Sequence, residues 1–475
     1  MFLVFLLLAY TWGGEHSTGA IKQTPQAVAL IEQARALAPE FGADSLLRLA
    51  NSTLIVGDEA KSKLIAEAFW AGERAFLPYK QWADRMDSLP TRAVRANRLE
   101  ALTLQTRAVQ AMLPLNPQKA LQMFEKIHSP VLPDLSCSDD LTPDVSDYYQ
   151  AAGAVFAQAF TPRQRKAEED MDFLKQQITG LSSPSQVAPA LQMVLILNVS
   201  PEQRNTLLTA FAGSLDRISG SDRSFGSWEG ALAPEASPDI AAAPAFVAAL
   251  RAYIVRHVHG RRCSDNVPPD GKPAKSVVQF NALLESLGLA SEHLKPISET
   301  EASPLSKDGS STHHLLWRSS KSRSILSELQ WLHHGNIKDG SAQPSTLKLA
   351  DRQTDEWLDH YQNTLKLMQD WKEQDEETPE DYFCMATDAL SDLAALAPPG
   401  KVRDRAMNAY LEFLELHYPA IENRNLWFTQ FRQMLYRARF SKDAEDKAWI
   451  LNSMSRSANP VIALYAKLEI LGVAP

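Results

Sequence analysis

The chain has 475 residues, 45% of them hydrophobic, and its 48 Lys and Arg against 57 Asp and Glu give a net charge of −9. This length exceeds what one hydrophobic core usually serves, so we expect several units or one elongated array. The acidic balance argues against a general nucleic-acid binder, because phosphate contacts need a positive surface. We therefore expect no nucleic-acid partner.

The first twenty residues, MFLVFLLLAYTWGGEHSTGA, have the pattern of a secretory leader. An apolar run of about a dozen residues is too short to span a bilayer, and small residues follow it. No Lys or Arg precedes the run, so a buried helix is the alternative. We predict that residues 1–20 are a cleaved signal peptide and that the protein is exported to the periplasm, the cell envelope or the medium. No other stretch is apolar for long enough to span a membrane.

Three stretches share one order of helix, short polar break and second helix, namely 46–75, 187–218 and 378–417. In each, apolar residues recur at the spacing of one helix face, and that face needs a neighbouring helix to cover it. The second helices start near 58, 201, 401 and 443, with no fixed period. The sequence therefore predicts an all-α protein, an irregular array of antiparallel helical hairpins curved like an α-solenoid.

Capping residues place several helix ends. Ser200 with Pro201, and Thr378 with Pro379, are typical of an N-cap followed by the first helical residue. We also expect Asp58 to be an N-cap. Pro39 and Gly42 are predicted to end the first helix, because proline cannot continue a helix and glycine favours its end. Runs of alternating β-branched residues are hard to find, so no sheet is required.

The segment NPQKALQMFEKI, residues 116–127, resembles the second helix of a tetratricopeptide-type hairpin. Ala120, Leu121, Phe124 and Ile127 occupy the positions that such helices bury. The tryptophan, glycine and tyrosine pattern of that repeat is missing from the preceding helix. The resemblance therefore implies the geometry of a tetratricopeptide-like or HEAT-like helical repeat and carries no functional residue with it.

The composition changes between 219 and 345, where four segments rich in Gly, Pro, Ser and Asp separate short helices near 244–258, 276–287 and 320–333. We predict helical hairpins over 21–218, a loop-rich middle over 219–345 and further hairpins over 346–475. Long loops within a compact chain are usually functional or mobile.

Six of the eleven histidines form three close pairs: His257 and His259, His313 and His314, His333 and His334. Neutral imidazoles are ligands for zinc or copper. On a helix, however, residues one or two apart point about 100° or 200° away from each other, so neither kind of pair can hold one ion without distortion. We interpret these histidines as surface or helix-end residues and expect no metal site and no cofactor.

Two of the three cysteines, Cys137 and Cys263, share the local text Cys-Ser-Asp in predicted loops. If the chain is exported, oxidation links them; the alternative is two unpaired thiols in unrelated loops. Cys384 lies within a predicted helix and is expected to be a small buried hydrophobe.

The chain has no Gly-x-Ser-x-Gly, no Walker loop and no dinucleotide fingerprint, so the reaction classes that these motifs mark find no support. Trp357, Tyr361 and Trp371 follow one helix face with Leu365 and Met368, which indicates a packing stripe. Helical arrays often bind proteins, and we expect a non-catalytic scaffold with a protein partner. The alternative is an all-helical carbohydrate-active enzyme with scattered carboxylates and a tryptophan-lined concave face.

Overall fold

The computed structural model describes residues 23–83, 97–135, 141–218, 240, 243–258, 275–286, 288–289, 293–295, 317–334, 354–374, 377–418 and 424–473. Over these residues the chain forms nineteen α-helices and one pair of short strands. The predicted all-α class is confirmed.

Twelve helices and both strands lie before residue 290. The helices are α1 (Pro25–Arg35), α2 (Pro39–Asn51), α3 (Asp58–Gly72), α4 (Ala101–Met112), α5 (Pro117–Phe124), α6 (Ser146–Gln158), α7 (Pro162–Lys166), α8 (Glu169–Thr179), α9 (Pro184–Ile196), α10 (Pro201–Arg217), α11 (Pro244–Val258) and α12 (Lys275–Ser286). Strands β1 (Lys80–Ala83) and β2 (Leu141–Asp144) pair antiparallel, with Lys80 opposite Asp144. This sheet was not predicted, because four-residue strands show too little alternation to be recognised.

Seven more helices follow in the C-terminal half. They are α13 (Ser320–His334), α14 (Asp355–Gln369), α15 (Pro379–Leu396), α16 (Lys401–His417), α17 (Arg424–Phe440), α18 (Ala444–Ser455) and α19 (Pro460–Ile470). Consecutive helices pack against each other along most of this half, with α15 against α16 and α18 against α19.

The predicted caps at Ser200 and Thr378 are confirmed. The Ser200 hydroxyl accepts from the backbone N–H of Gln203, whose side chain accepts from the Ser200 N–H at 3.0 Å, which forms a complete capping box. The Thr378 hydroxyl accepts from the Asp381 N–H at 3.1 Å. Each cap satisfies donors that a helix start leaves unpaired.

Other predicted helix ends were wrong. Pro39 is the first residue of α2 rather than a terminator alone, since the first turn of a helix tolerates proline. Gly42 lies inside α2, where a Cβ atom would meet the Ala34 carbonyl oxygen at 2.9 Å, so glycine allows α1 and α2 to approach. Asp58 is the first helical residue, and the N-cap is Gly57, whose φ of 90° favours glycine.

Two hydrophobic cores form and exchange residues. The N-terminal core joins α1 to α6 and α8 to α12, and the C-terminal core joins α13 to α19. Phe41 of α2 is fully buried in the C-terminal core, with its ring centroid 5.3 Å from that of Phe428. In return, Leu464 and Leu468 of α19 belong to the N-terminal core. The two halves therefore hold each other through buried apolar side chains.

A close helix crossing lies between α3 and α4. A Cβ atom added at Gly72 would lie 2.8 Å from the Leu104 Cβ. Real side-chain atoms do not approach so closely, so this crossing requires glycine.

The last described helix lies against the first. The Lys467 side chain of α19 donates to the Gln33 side chain of α1 at 3.1 Å. The solenoid curvature stays a prediction, and much of the predicted loop-rich middle lies outside the described residues. So does the predicted leader. Within the described part of the chain, every helix is too short or too polar to cross a bilayer.

Candidate functional site

A charged junction between the two halves is built around the carboxylate of Asp44, whose side chain is 1% exposed. Arg48 Nε, one helical turn further along α2, donates to Asp44 Oδ2 at 2.7 Å. Arg107 Nη1 of α4 donates to Oδ1 at 2.7 Å, and the Tyr465 hydroxyl of α19 donates to Oδ2 at 2.7 Å. Three helices that are far apart in sequence are therefore tied to one buried anion.

The surrounding charges fix the protonation state of this cluster. Burial by itself raises the pKa of Asp44, but attraction from Arg48 and Arg107 together with the hydrogen bonds outweighs it and lowers the pKa to about 2. Burial raises the pKa of Tyr465 well above its ordinary value. At neutral pH the cluster therefore holds one carboxylate, two guanidinium groups and a neutral phenol, with a net charge of +1.

A second polar contact ties residue 97 to α17. Asn97 Nδ2 donates to the Asn425 carbonyl oxygen at 2.8 Å and to Thr429 Oγ1 at 2.7 Å. Its Oδ1 atom accepts from Arg432 Nη1 at 3.3 Å. Burial lowers the pKa of Arg432, and the nearby Arg48 adds to this effect. A guanidinium remains charged at neutral pH despite such a shift, so Arg432 adds another cation.

A pocket of about 610 Å³ opens beside these residues; we call it the junction pocket. Its described lining residues come from α2 and the turn after it, from residues 97 and 98, from α4, from α17 and from the chain end: Asp44, Arg48, Asn51, Ser52, Thr53, Leu54, Asn97, Arg98, Arg107, Gln110, Ala111, Arg432, Leu471, Gly472 and Val473. Four are arginines. Among these lining residues Asp44 is the one carboxylate, and its oxygens already accept three hydrogen bonds.

The junction pocket is suited to an anion. Guanidinium groups present N–H donors in a flat fork that matches a carboxylate or phosphate. The side-chain amides of Asn51 and Gln110 add donors on the same wall. Its described lining residues include no His, Cys or Lys.

A second depression, the α16–α18 groove, has a volume of about 590 Å³ and carries the opposite charge. Asp404, Glu412, Glu415 and Trp449 line it together with Arg456. The Trp449 Nε1–H donates to Asp404 Oδ1 at 2.8 Å. Glu415 Oε1 accepts from the Ser457 hydroxyl at 2.5 Å, so two of the three carboxylates already have partners within the protein.

The structure describes three of the six candidate histidines. His257 lies in the last turn of α11, one of the two predicted places, and it is buried rather than at the surface, with 1% exposure. Its ring lies 4.3 Å from the Tyr253 ring. Burial lowers its pKa to about 4. His333 Nε2 lies 3.5 Å from Asp392 Oδ2, and the His334 ring is 5.8 Å away from the His333 ring.

His259, His313 and His314 lie outside the described residues. Among the residues that are described, no three His, Cys, Asp or Glu side chains are grouped to hold a metal ion.

Cys137 and Cys263 also lie outside the described residues, so their disulfide stays a prediction. Cys384 is 2% exposed on α15, as predicted, and burial raises the pKa of its thiol.

One turn further along α15, Asp388 Oδ1 accepts from Gln433 Nε2 of α17 at 3.1 Å. Burial raises the pKa of Asp388 to about 6.

The predicted tryptophan stripe is a packing face. Trp357, Tyr361, Leu365, Met368 and Trp371 are all buried in the C-terminal core. The Trp357 Nε1–H donates to the Leu332 carbonyl oxygen at 3.1 Å, and the Tyr361 hydroxyl donates to that of Leu393 at 2.8 Å. These aromatic rings are therefore not available to a ligand.

Sequence reasoning missed the residues of the junction pocket. One local signal was present, since Asp44 and Arg48 stand four residues apart within the apolar text of α2. A charged pair on a helix face that must be buried indicates a buried ion pair. Nothing local indicated Arg107, Arg432 or Tyr465 as its partners.

Comparison of the sequence with known proteins assigns the chain to no family. No protein-family model matches the chain, and no curated protein matches it either.

Proposed function

We propose that the chain is a non-catalytic binding protein that holds an acidic segment of a protein partner in the junction pocket. The observation that carries this proposal is the charge of the wall: four arginines and one carboxylate that is already paired. An arriving carboxylate finds guanidinium donors without a competing free acid among the described lining residues. The 610 Å³ volume is in the range of small-ligand sites and admits one or two side chains.

Binding rather than catalysis is supported by the state of Asp44. A carboxylate with a pKa of about 2 is a poor base at neutral pH, and three donors occupy it. Its role is to hold Arg48 and Arg107 in place, because without it each would be a largely buried cation that lacks its hydrogen-bonded carboxylate.

A protein partner fits the charge balance better than a nucleic acid does. The whole chain carries a net charge of −9, so the basic pocket is a local feature on an acidic molecule. A polyanion would be repelled beyond the pocket, whereas a short acidic segment contacts the pocket alone.

Fluorescence anisotropy with labelled peptides tests this proposal. A peptide of six glutamates should bind, and a peptide of six glutamines should not. Arg98→Gln removes an exposed cation of the wall and should weaken binding roughly tenfold, which corresponds to about 1.4 kcal/mol. The matched control is Arg163→Gln, an exposed arginine of α7 that does not line the pocket. Equal binding of both peptides, or equal loss in both variants, would contradict the proposal.

We also propose that the protein is exported and meets its partner outside the cytoplasm. We propose that the mature chain begins near Ile21, on the strength of the apolar start and the small residues that follow it. N-terminal sequencing of native material, with fractionation, tests this step. A cytoplasmic protein that retains Met1 would refute it.

The carbohydrate-active alternative is favoured by one observation, the presence of Trp449 beside three carboxylates in the α16–α18 groove. Sugar rings stack on tryptophan, and glycosidases use two carboxylates. Release of reducing ends from a panel of neutral oligosaccharides tests this candidate, with Glu412→Gln as the inactive control. No release by the unaltered protein would eliminate it.

A further inference from the structure

An exposed aromatic pair lies one to two turns beyond the junction pocket on α17. Tyr436 and Phe440 stack with ring centroids 6.0 Å apart and an interplanar angle of 9°. Phe440 is 73% exposed and Tyr436 is 38% exposed. By contrast, Trp427, Phe428 and Phe431 at the other end of the same helix are buried. We call Tyr436 and Phe440 the aromatic shelf.

The aromatic shelf is continuous with the junction pocket. Arg48 and Arg432 line both the pocket and a narrow cleft that Tyr436 and Arg439 also line. Arg432 Nη2 donates to the Tyr436 hydroxyl at 2.6 Å, and its guanidinium carbon lies 4.8 Å from the Tyr436 ring centroid. The cations of the pocket and the rings of the shelf therefore form one surface.

The distance between the junction pocket and the aromatic shelf determines how far apart the two contacting groups of a ligand must be. Arg432 and Phe440 are eight residues apart on one helix, or ~12 Å along its axis. An extended peptide advances ~3.3 Å per residue, so this distance corresponds to about four residues. Glu469 balances the charge of Arg439, which lies 5.9 Å from the Tyr436 ring centroid, and the exposed ring of Phe440 is the apolar part of the shelf.

We propose that the recognised partner segment carries an apolar side chain about four residues from its acidic group, and that this side chain packs on the aromatic shelf. This inference rests on the proposed function and adds the second specificity element. An acidic group satisfies the arginines, and an apolar side chain removes the exposed face of Phe440 from water. Charge complementarity excludes a basic segment, since Arg48, Arg98, Arg107 and Arg432 would repel it.

Three labelled peptides of equal length and charge test the inference. Each begins with three glutamates and continues with serines. In the first peptide a leucine replaces the fourth residue after the last glutamate, in the second a leucine replaces the residue directly after it, and the third has no leucine. The spaced leucine peptide should bind about tenfold more tightly than the other two. Phe440→Ser should abolish this advantage and leave the affinity of the serine peptide unchanged. Leu416→Ser, which alters a 72% exposed residue of α16, is the matched control and should change neither.

The outcomes separate the two proposals. If no peptide binds the unaltered protein, the proposed function fails and the inference fails with it. If all three bind equally, the junction pocket stands and the shelf is overturned. An advantage that persists in Phe440→Ser overturns the shelf as well. So does self-association in sedimentation that Phe440→Ser abolishes, because a second copy of the chain would then be the occupant.

Discussion

Substitution of Asp44 by Asn tests the junction most directly. Asparagine has almost the same shape, but it removes the charge and turns an NH₂ group towards one of three donors. Arg48 and Arg107 then lose their counter-charge while their side chains remain 6% and 16% exposed. We expect the free energy of unfolding to fall by ~3–5 kcal/mol, the usual cost of leaving a buried charge unpaired.

The lowered pKa of Asp44 also predicts how the free energy of unfolding depends on pH. A pKa lowered from 3.8 to about 2 corresponds to ~2 kcal/mol. Because the folded pKa is below the unfolded one, this stability is complete above about pH 5 and is lost as the pH falls towards 2. Asp44→Asn should remove this part of the acid profile.

Urea denaturation followed by circular dichroism, at several values between pH 2.5 and 7, measures both effects. Unfolding entropy of ~2.1 cal/mol/K per residue makes the thermal shift only about 3–5 °C for 475 residues, so denaturant midpoints are the better readout. The matched control is Asp172→Asn, a 72% exposed partner of Lys175, with an expected change below ~1 kcal/mol. The reasoning is refuted if Asp44→Asn changes stability no more than this control and keeps the acid profile.

Three further predictions follow from packing, burial and redox state. Gly72→Ala should lower the free energy of unfolding by ~1–3 kcal/mol, because the added Cβ atom has no room. Gly213→Ala should raise it by ~0.4–1 kcal/mol, because no atom lies within 4 Å of the added Cβ. Urea denaturation midpoints of the two variants measure both changes. The pKa of Asp388, raised to about 6, means that stability falls as the pH rises from 4 to 6, so Asp388→Asn should stabilise by ~1–3 kcal/mol at pH 7.5 and have less effect at pH 4.5. Peptide mapping of envelope material without reductant should find Cys137 linked to Cys263, a bridge that closes a long loop and adds up to ~4–5 kcal/mol; free alkylation of both would contradict it.

The helix caps and the buried face of α14 each depend on residues that are close together in the sequence. A capping residue such as Ser200 or Thr378 acts on donors within three residues, and the stripe from Trp357 to Trp371 repeats at helical spacing. Both were therefore predictable from the sequence. Pro39 was ambiguous, because proline both ends one helix and begins the next.

The junction pocket was decided by tertiary structure. Asp44 and Tyr465 are 421 residues apart, and Asn97 and Asn425 are 328 apart. Apolar periodicity predicts that a helix face is buried, but it does not predict which other helix covers that face. Many pairs of helix faces would bury a similar apolar area. The sequence alone determined an all-α chain, and the Asp44 and Arg48 pair on α2 was not recognised from it. The arginines of α2, α4 and α17 and residue 98 reach one wall only in the folded chain, where α17 and α19 contact α2. That arrangement depends on which apolar faces fit together.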